Sequence, residues 1–406
     1  MARDAADGSG TGVAVRQARE GDAEAVAAFT EDTWDEFEGS DYIPDVFPEW
    51  VATDGADQYT VVAERGGAAA ADDGGEGENE DRDGTVVGCC QVVRLSEHEA
   101  WTQGIRVHPD HRGAGVARAM DGACRDWARE RGATLARNMV FSWNEQGLAT
   151  ARSLGYEPRT EFRWAHPEPD ADAPVPGDSD GDGVTLTADP DAVWGYWQRS
   201  DAREALCGLA LDPVEPWALS EWTRERARRA ATETAVVAVQ RDGTTGATWR
   251  TRVTERDEET LAVYGAAGWE TLADARALFA AVARDAAAAG ADAIRVLVPE
   301  TPRHVSDAAA AGVALADEPD FVFEADLTAR RGAEAGVTGA QFPSCPGASD
   351  RLRVTTPGPG AGAGMDQKLT AIVLATVLLT SGLGLVGGGV AQTGNAPTQA
   401  GADATV

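Results

Sequence analysis

The segment that most constrains this fold is a glycine-bearing junction between a strand and a helix. Arg112-Gly113-Ala114-Gly115-Val116-Ala117 follows an apolar run, Ile105-Arg106-Val107, and a turn, His108-Pro109-Asp110. Beyond it, Val116, Met120, Ala123, Cys124 and Trp127 recur at helical spacing and make one apolar face. Arg118, Asp121, Arg125 and Arg129 carry the other side, and Gly132 is placed to stop the helix. Glycines let a backbone come close to a ligand. The N–H groups of a first helical turn, aided by the helix dipole, attract an anion. The junction therefore predicts a cradle for the pyrophosphate of a nucleotide-containing cofactor. It is neither a P-loop nor a dinucleotide fingerprint. There is no Gly-Lys-Ser/Thr, and no Gly-x-Gly-x-x-Gly follows an early strand.

The residues C-terminal to this helix are patterned too. Residues 133–141 read as a buried strand. Residues 145–154 read as a helix, capped by Asn144 and ended by Gly155. Here the chain resembles the GCN5-related N-acetyltransferase (GNAT) superfamily. Arg112, Gly115 and Ala117 match its Arg/Gln-x-x-Gly-x-Gly/Ala loop, and Ile105, Val107 and Pro109 match the stretch before it. Asn144 with Leu154-Gly155-Tyr156 matches its closing pattern. A strand at 13–18, then Arg19-Glu20-Gly21-Asp22 and a helix from about Ala23, matches its opening. The resemblance covers residues 12–165. It implies an α/β fold in which a mixed central sheet is flanked by helices.

The resemblance also implies acetyl transfer from acetyl-CoA to a primary amine of a small molecule or a protein. The implied cosubstrate contacts are Ile105, Arg106 and Val107, residues 112–117 (Arg112, Gly113, Ala114, Gly115, Val116, Ala117) and Asn144. Backbone N–H groups of 105–107 would serve the pantetheine arm and the acetyl carbonyl, an oxyanion-type role. An amine is mostly protonated near neutral pH, so a base supplies the free nucleophile. On an ideal strand Glu99, Trp101, Gln103, Ile105 and Val107 share one face. The family often places a carboxylate on this strand, so Glu99 is the first choice of base. Glu97 and His98 are rivals, because a bulge would change the parity. The family's usual Tyr acid is replaced by Ala151. Either the thiolate leaves through water or another group serves. Tyr156 reads as a packed aromatic, and Asn144 reads as a helix cap, a cosubstrate contact or both. The Ala151 replacement keeps a second reading open, a non-catalytic acetyl-CoA-binding sensor.

Composition bounds the partners. The chain has 406 residues, 67 acidic and 35 basic, with a net charge of −32. Only one of the basic residues, Lys368, is a lysine. An acid-coated, Lys-poor surface points to a halophilic proteome and against nucleic acid, since phosphate contact needs clustered Lys and Arg. The basic run at 224–229 reads as a solvated helix face. The five cysteines are scattered, without metal spacing or a disulfide framework, which fits a reducing cytoplasm and no metal. Cys89 and Cys90 read as strand core.

Five segments emerge. Residues 1–166 form the GNAT-like domain, with a Gly-rich acidic loop at 66–84 and an aromatic, irregular stretch at 36–50 expected at the acceptor site. Residues 167–183 are a Pro/Asp/Gly linker. Residues 184–330 repeat the element order as a degenerate second copy, in tandem, which would complete the acceptor pocket. Its loop position, Tyr264-Gly265-Ala266-Ala267-Gly268-Trp269, lacks the signature, so no acetyl-CoA is expected there. Residues 331–364 are Gly/Pro-rich. Residues 365–406 hold 23 uncharged residues, 369–391, long enough to span a bilayer. With Arg351, Arg353 and Lys368 before them, they read either as a tether of a cytoplasmic enzyme or as a fused, unrelated peptide.

Overall fold

A computed structural model describes residues 12–31, 33, 41–66, 84–175, 184–256 and 259–328. The expected tail helix at 369–391, most of the loop at 66–84 and residues 36–40 of the aromatic stretch lie outside these residues. Among the described residues no helix is long and apolar enough to cross a membrane.

The first half runs β1 (Val13–Gln17), α1 (Ala23–Thr30), α2 (Ile43–Thr53), β2 (Gln58–Arg65), β3 (Thr85–Arg94), β4 (Glu99–Val107), α3 (Val116–Glu130), β5 (Leu135–Phe141), α4 (Glu145–Ser153) and β6 (Glu157–His166). The second half runs β7 (Thr185–Thr187), α5 (Pro190–Trp197), α6 (Asp201–Ala205), β8 (Leu209–Leu211), β9 (Leu219–Glu221), α7 (Arg224–Glu233), β10 (Ala235–Gln240), β11 (Thr244–Arg256), β12 (Glu259–Ala266), β13 (Gly268–Trp269), α8 (Leu272–Ala288), β14 (Ala293–Pro299), α9 (Pro302–Ala310), β15 (Ala314–Leu315) and β16 (Asp320–Asp326). The order repeats. In each half, antiparallel strands lead into a long helix that crosses over to a parallel strand, β4 to β5 and β12 to β14.

Both halves share one mixed sheet in the order β1-β2-β3-β4-β5-β16-β6-β14-β12-β11-β10-β7. The closing strands are exchanged. The first half's β6 pairs with β14, while β16 from the end of the second half lies between β5 and β6. The division at residue 166 thus follows chain order but not sheet membership. Two apolar layers sandwich the first half's strands. Met120, Cys124 and Trp127 of α3 pack on Val61, Ala63 and Cys90, whereas Val26, Ile43 and Phe47 pack on Val62 and Cys89. Trp101, Phe162 and Trp164 join Trp197, Trp222 and Trp249 in a core common to both halves.

Three local expectations are corrected. The aromatic stretch is not irregular throughout, because α2 occupies Ile43–Thr53; Pro44 is tolerated in its first turn, and Pro48 lies inside it. Residues 167–175 of the linker are pinned on α8. Asp170 N donates to the Ala283 carbonyl, and Arg284 Nε donates to that of Ala173. The supposed loop at 264–269 lies mostly in β12 and β13.

One buried cation ties the halves together. Arg137 on β5 is 2% exposed and donates to Glu99 of β4 at 2.6 Å and to Glu324 of β16 at 2.7 Å. Replacing it leaves the buried Glu99 without a cation and Glu324 with only the more distant Arg159, at 3.8 Å. We expect Arg137→Met to cost about 3–5 kcal/mol near neutral pH, read from the urea midpoint. Burial raises the Glu99 carboxyl, but Arg137 and its hydrogen bonds bring it below the usual value. Its stabilisation is therefore present above the unfolded carboxylate pKa and is lost as pH falls through the lower folded value. The penalty of Arg137→Met should shrink on acidification.

Candidate functional site

The site begins where the sheet opens. β4 and β5 pair only from Glu99↔Leu135 to Trp101↔Arg137, and then part. Past that fork β4 bulges, because Gln103 faces Gln91 and Arg106 faces Cys89, so Gly104 and Ile105 both oppose Cys90. Gly104 sits at φ +63°, where side chains are strained, and a Cβ there would lie 2.5 Å from the Trp50 ring. Trp50 of α2 therefore closes over the bulge.

Beside the parted edge of β4 lies a cleft of about 1210 Å³, walled by β4, the start of α3 and α4. Gly113 and Gly115 have φ of +75° and +83°, and Gly115 caps α3 with no side chain. The first-turn N–H groups of a helix have no intrahelical partner. Here no cap side chain takes them, and Gly115, Val116 and Ala117 line the cleft. α8, the equivalent helix of the second half, differs. Thr271 and Asp274 cap it reciprocally, and β12 stays paired to β14 as far as Ala266↔Leu297.

The cleft gathers Ile105, Arg106, Val107, Arg112, Gly113, Gly115, Val116, Ala117 and Asn144. Ala114 instead packs on the α3 core. The Arg106 side chain is held by Asp41 at 2.5 Å, so its contribution to the cleft is backbone. Asn144 caps α4, its Oδ1 accepting from Gly147 N at 2.8 Å, and also lines the cleft. Ala151 is buried in the α3-side core. Tyr156 is fully buried too. Its Oη donates to Asp121 at 3.0 Å and lies 2.9 Å from Thr102 Oγ1, and burial pushes the phenol well above its ordinary pKa.

Glu99 is corrected as a base. It is 5% exposed and has its carboxylate taken by Arg137, Ser96 Oγ and the Glu221 backbone N–H. A carboxylate so paired, with a lowered pKa, is a poor proton acceptor. The strand parity holds through Gln103: Glu99, Trp101 and Gln103 all meet the second half. The bulge then breaks it and turns Ile105 and Val107 toward the α3 core.

Glu215 of the second half also reaches β4, a contact no sequence pattern marks. It lies on the tip between β8 and β9, and its Oε1 accepts from Gln103 Nε2 at 3.0 Å, across 112 residues of chain. No local pattern signals a contact at that separation. Its two flanking prolines, Pro213 and Pro216, mark only a turn. Among the described residues no cluster of His, Cys, Asp and Glu is arranged to hold a metal.

Residues 26–156 match the Acetyltransferase (GNAT) family. The streptothricin acetyltransferase of Streptomyces lavendulae is 31% identical over 162 residues, covering 35% of this chain and 79% of that protein. A GCN5-related N-acetyltransferase from Sphaerobacter thermophilus superposes with a TM-score of 0.46 at 15% identity, over 78% of this chain and 96% of that one. The glucosamine N-acetyltransferase region of a fungal multi-domain GH3 β-N-acetylglucosaminidase gives a TM-score of 0.50 at 12% identity, over 77% of this chain and 38% of that one. The chain belongs to the GNAT acetyltransferase family and is an acyl-transferring enzyme.

The bulge offers a direct structural test. Gly104→Val places a branched side chain at positive φ and against Trp50. Overpacking of this kind costs about 1–3 kcal/mol, with backbone strain in addition. Urea denaturation should show the loss, whereas Gly21→Val, with nothing within 4 Å of its Cβ, should show much less.

Proposed function

We propose that the protein transfers an acetyl group from acetyl-CoA to a primary amine of a small cationic acceptor. The observation that carries this reading is the uncapped, glycine-led start of α3 facing the cleft beside the parted edge of β4. Such a helix start is suited to a pyrophosphate, because N–H groups and helix dipole act together on an anion. Gly113, Gly115 and the backbone of Val116 and Ala117 would hold it. Unpaired N–H groups near the bulge would meet the pantetheine arm and the thioester carbonyl, where they stabilise developing negative charge.

The second half is a degenerate copy of the same domain. Its helix start is capped and its strands stay paired, so we assign it no acetyl-CoA. Its part is to complete the acceptor side of the first half's site. The acyltransferase family sets aside a purely non-catalytic sensor. The acceptor is cationic in water because a primary amine is mostly protonated near neutral pH, and the streptothricin relative makes that compound one acceptor to test.

The test is release of CoA thiol from acetyl-CoA with streptothricin, spermidine, kanamycin, L-lysine and a lysine peptide. Release with one acceptor class, and an N-acetylated product by mass spectrometry, is the expected outcome. No release from any of them would sink the reading. Gly115→Trp, bulky at φ +83° and lying over the anion site, should weaken acetyl-CoA binding at least tenfold, or about 1.4 kcal/mol, by calorimetry.

A further inference from the structure

We propose that Glu215, carried by the second half, is the general base that takes a proton from the acceptor ammonium at the acetyl end of the first half's cleft. This rests on the acetyl-transfer reading above.

The tip that bears Glu215 is built to hold a position. Asp212 Oδ1 accepts from the backbone N–H groups of Val214 and Glu215, at 2.9 and 3.0 Å. Its other oxygen takes Ser220 Oγ at 2.7 Å and pairs with Arg226 at 3.2 Å. At the end of the tip Trp217 has φ +73°, a strained value for a bulky side chain. It is wedged edge-on against Trp164, with centroids 6.3 Å apart. Two bonds then moor the hairpin to the first half: Glu221 N to Glu99 at 2.9 Å, and Arg226 Nη2 to the Leu95 carbonyl at 3.3 Å. The carboxylate that strand parity picked out on β4 thus anchors the hairpin that delivers another.

Glu215 is set against the bulge. Gln103, the residue before Gly104, gives one N–H to Gln91 Oε1 at 2.8 Å and the other to Glu215 Oε1 at 3.0 Å. Glu215 Oε2 has no hydrogen-bond donor among the described residues. The neighbouring carboxylates are all taken. Asp41 holds Arg106, Asp212 holds the turn, and Glu99 holds Arg137. A carboxylate with one oxygen positioned and the other open fits a proton acceptor.

Its surroundings set the basicity. Burial is the largest influence and pushes the Glu215 carboxyl up to about 7; Gln103 lowers it, Asp212 raises it and Arg252 of β11 lowers it. Arg252 is partly occupied, donating to the Asp212 carbonyl at 3.1 Å. Tyr42, at the start of α2, feels the Glu215 charge from the other side and is itself pushed up to about 12, mainly by burial. It stays neutral near pH 7. Beyond it the Arg106–Asp41 pair is self-neutralising.

The step balances without a further reactant. Glu215 takes one proton from the ammonium, and the freed lone pair attacks the thioester carbon. The C–N bond forms and the C–S bond breaks. The nitrogen's surplus proton leaves with the sulfur as CoA thiol, and Glu215 returns its proton to water.

Glu215→Gln tests this, because the amide oxygen still accepts from Gln103 but cannot act as the base. Steady-state release of CoA thiol is measured from pH 5.5 to 9 with the best acceptor of the panel, beside acetyl-CoA affinity by calorimetry. For the wild type, kcat/KM should rise with pH through about 7 as Glu215 ionises. For Glu215→Gln, kcat should fall about 10²- to 10⁴-fold and that limb should vanish. Acetyl-CoA affinity should stay within twofold, which reports a folded protein. A wild-type kcat and acid limb in Glu215→Gln would overturn the proposal. So would a loss confined to acceptor KM with the pH profile unchanged, which marks a carboxylate that only binds the ammonium. Absence of release by the wild type with every acceptor overturns the transfer reading and the proposal with it. Transfer at the wild-type rate in Glu215→Gln overturns Glu215 alone.

Discussion

The parting of β4 from β5 after a single short stretch of parallel pairing is the constraint on which the structure turns. A sheet that opens gives up ladder hydrogen bonds, and the N–H and C=O groups along the gap need other partners. The fork leaves such groups beside the cleft, where the proposed acetyl transfer would place a thioester arm. The fork must then be held from behind. Arg137, opposite the last paired residue of β4, grips Glu99 and Glu324 and so joins β4, β5 and β16. β16 pairs with β5 from Asp320↔Phe141 to Asp326↔Leu135, restoring on one edge the pairing that the fork removes from the other.

Exchange of the closing strands makes the halves interdependent. With β16 inside the first half's strands and β6 against β14, neither half completes its sheet from its own segment. The tryptophan core between them is continuous, with Trp222 stacked on Trp249 at 3.9 Å and Trp101 buried in the same cluster. Such a joint keeps a hairpin of one half in fixed register with a strand of the other. Hydrogen bonds from Gln103 to Glu215 and from Glu221 N to Glu99 fix that hairpin against β4, as the proposed base requires. The second half has a closed strand pair and a capped helix where the first half has its cleft.

The sequence made the helices and strands legible wherever one face is apolar. α3, α8 and the buried strands show their period because packing on a sheet demands it. The cap at Asn144 was equally plain, standing where a side-chain oxygen meets a free N–H group. α2 was obscured by two prolines and aromatics that disguise its period. Glu99 shows a different limit. Its face on β4 was read correctly, but a strand face does not say what lies across from it. Here an arginine and a backbone N–H from distant segments occupy the carboxylate.

By itself the sequence determined the local geometry at the start of α3, the proposed cosubstrate side. Glycine at positive φ, an apolar helix face and a side-chain-free helix start are properties of a few adjacent residues, and their physics is local. The proposed acceptor side was decided only by tertiary structure. The bulge that reverses parity at Gly104, the strand exchange, and the meeting of Gln103 with Glu215 each depend on segments far apart in the chain. A carboxyl raised toward neutrality is likewise made by burial and neighbours, which the folded chain alone supplies.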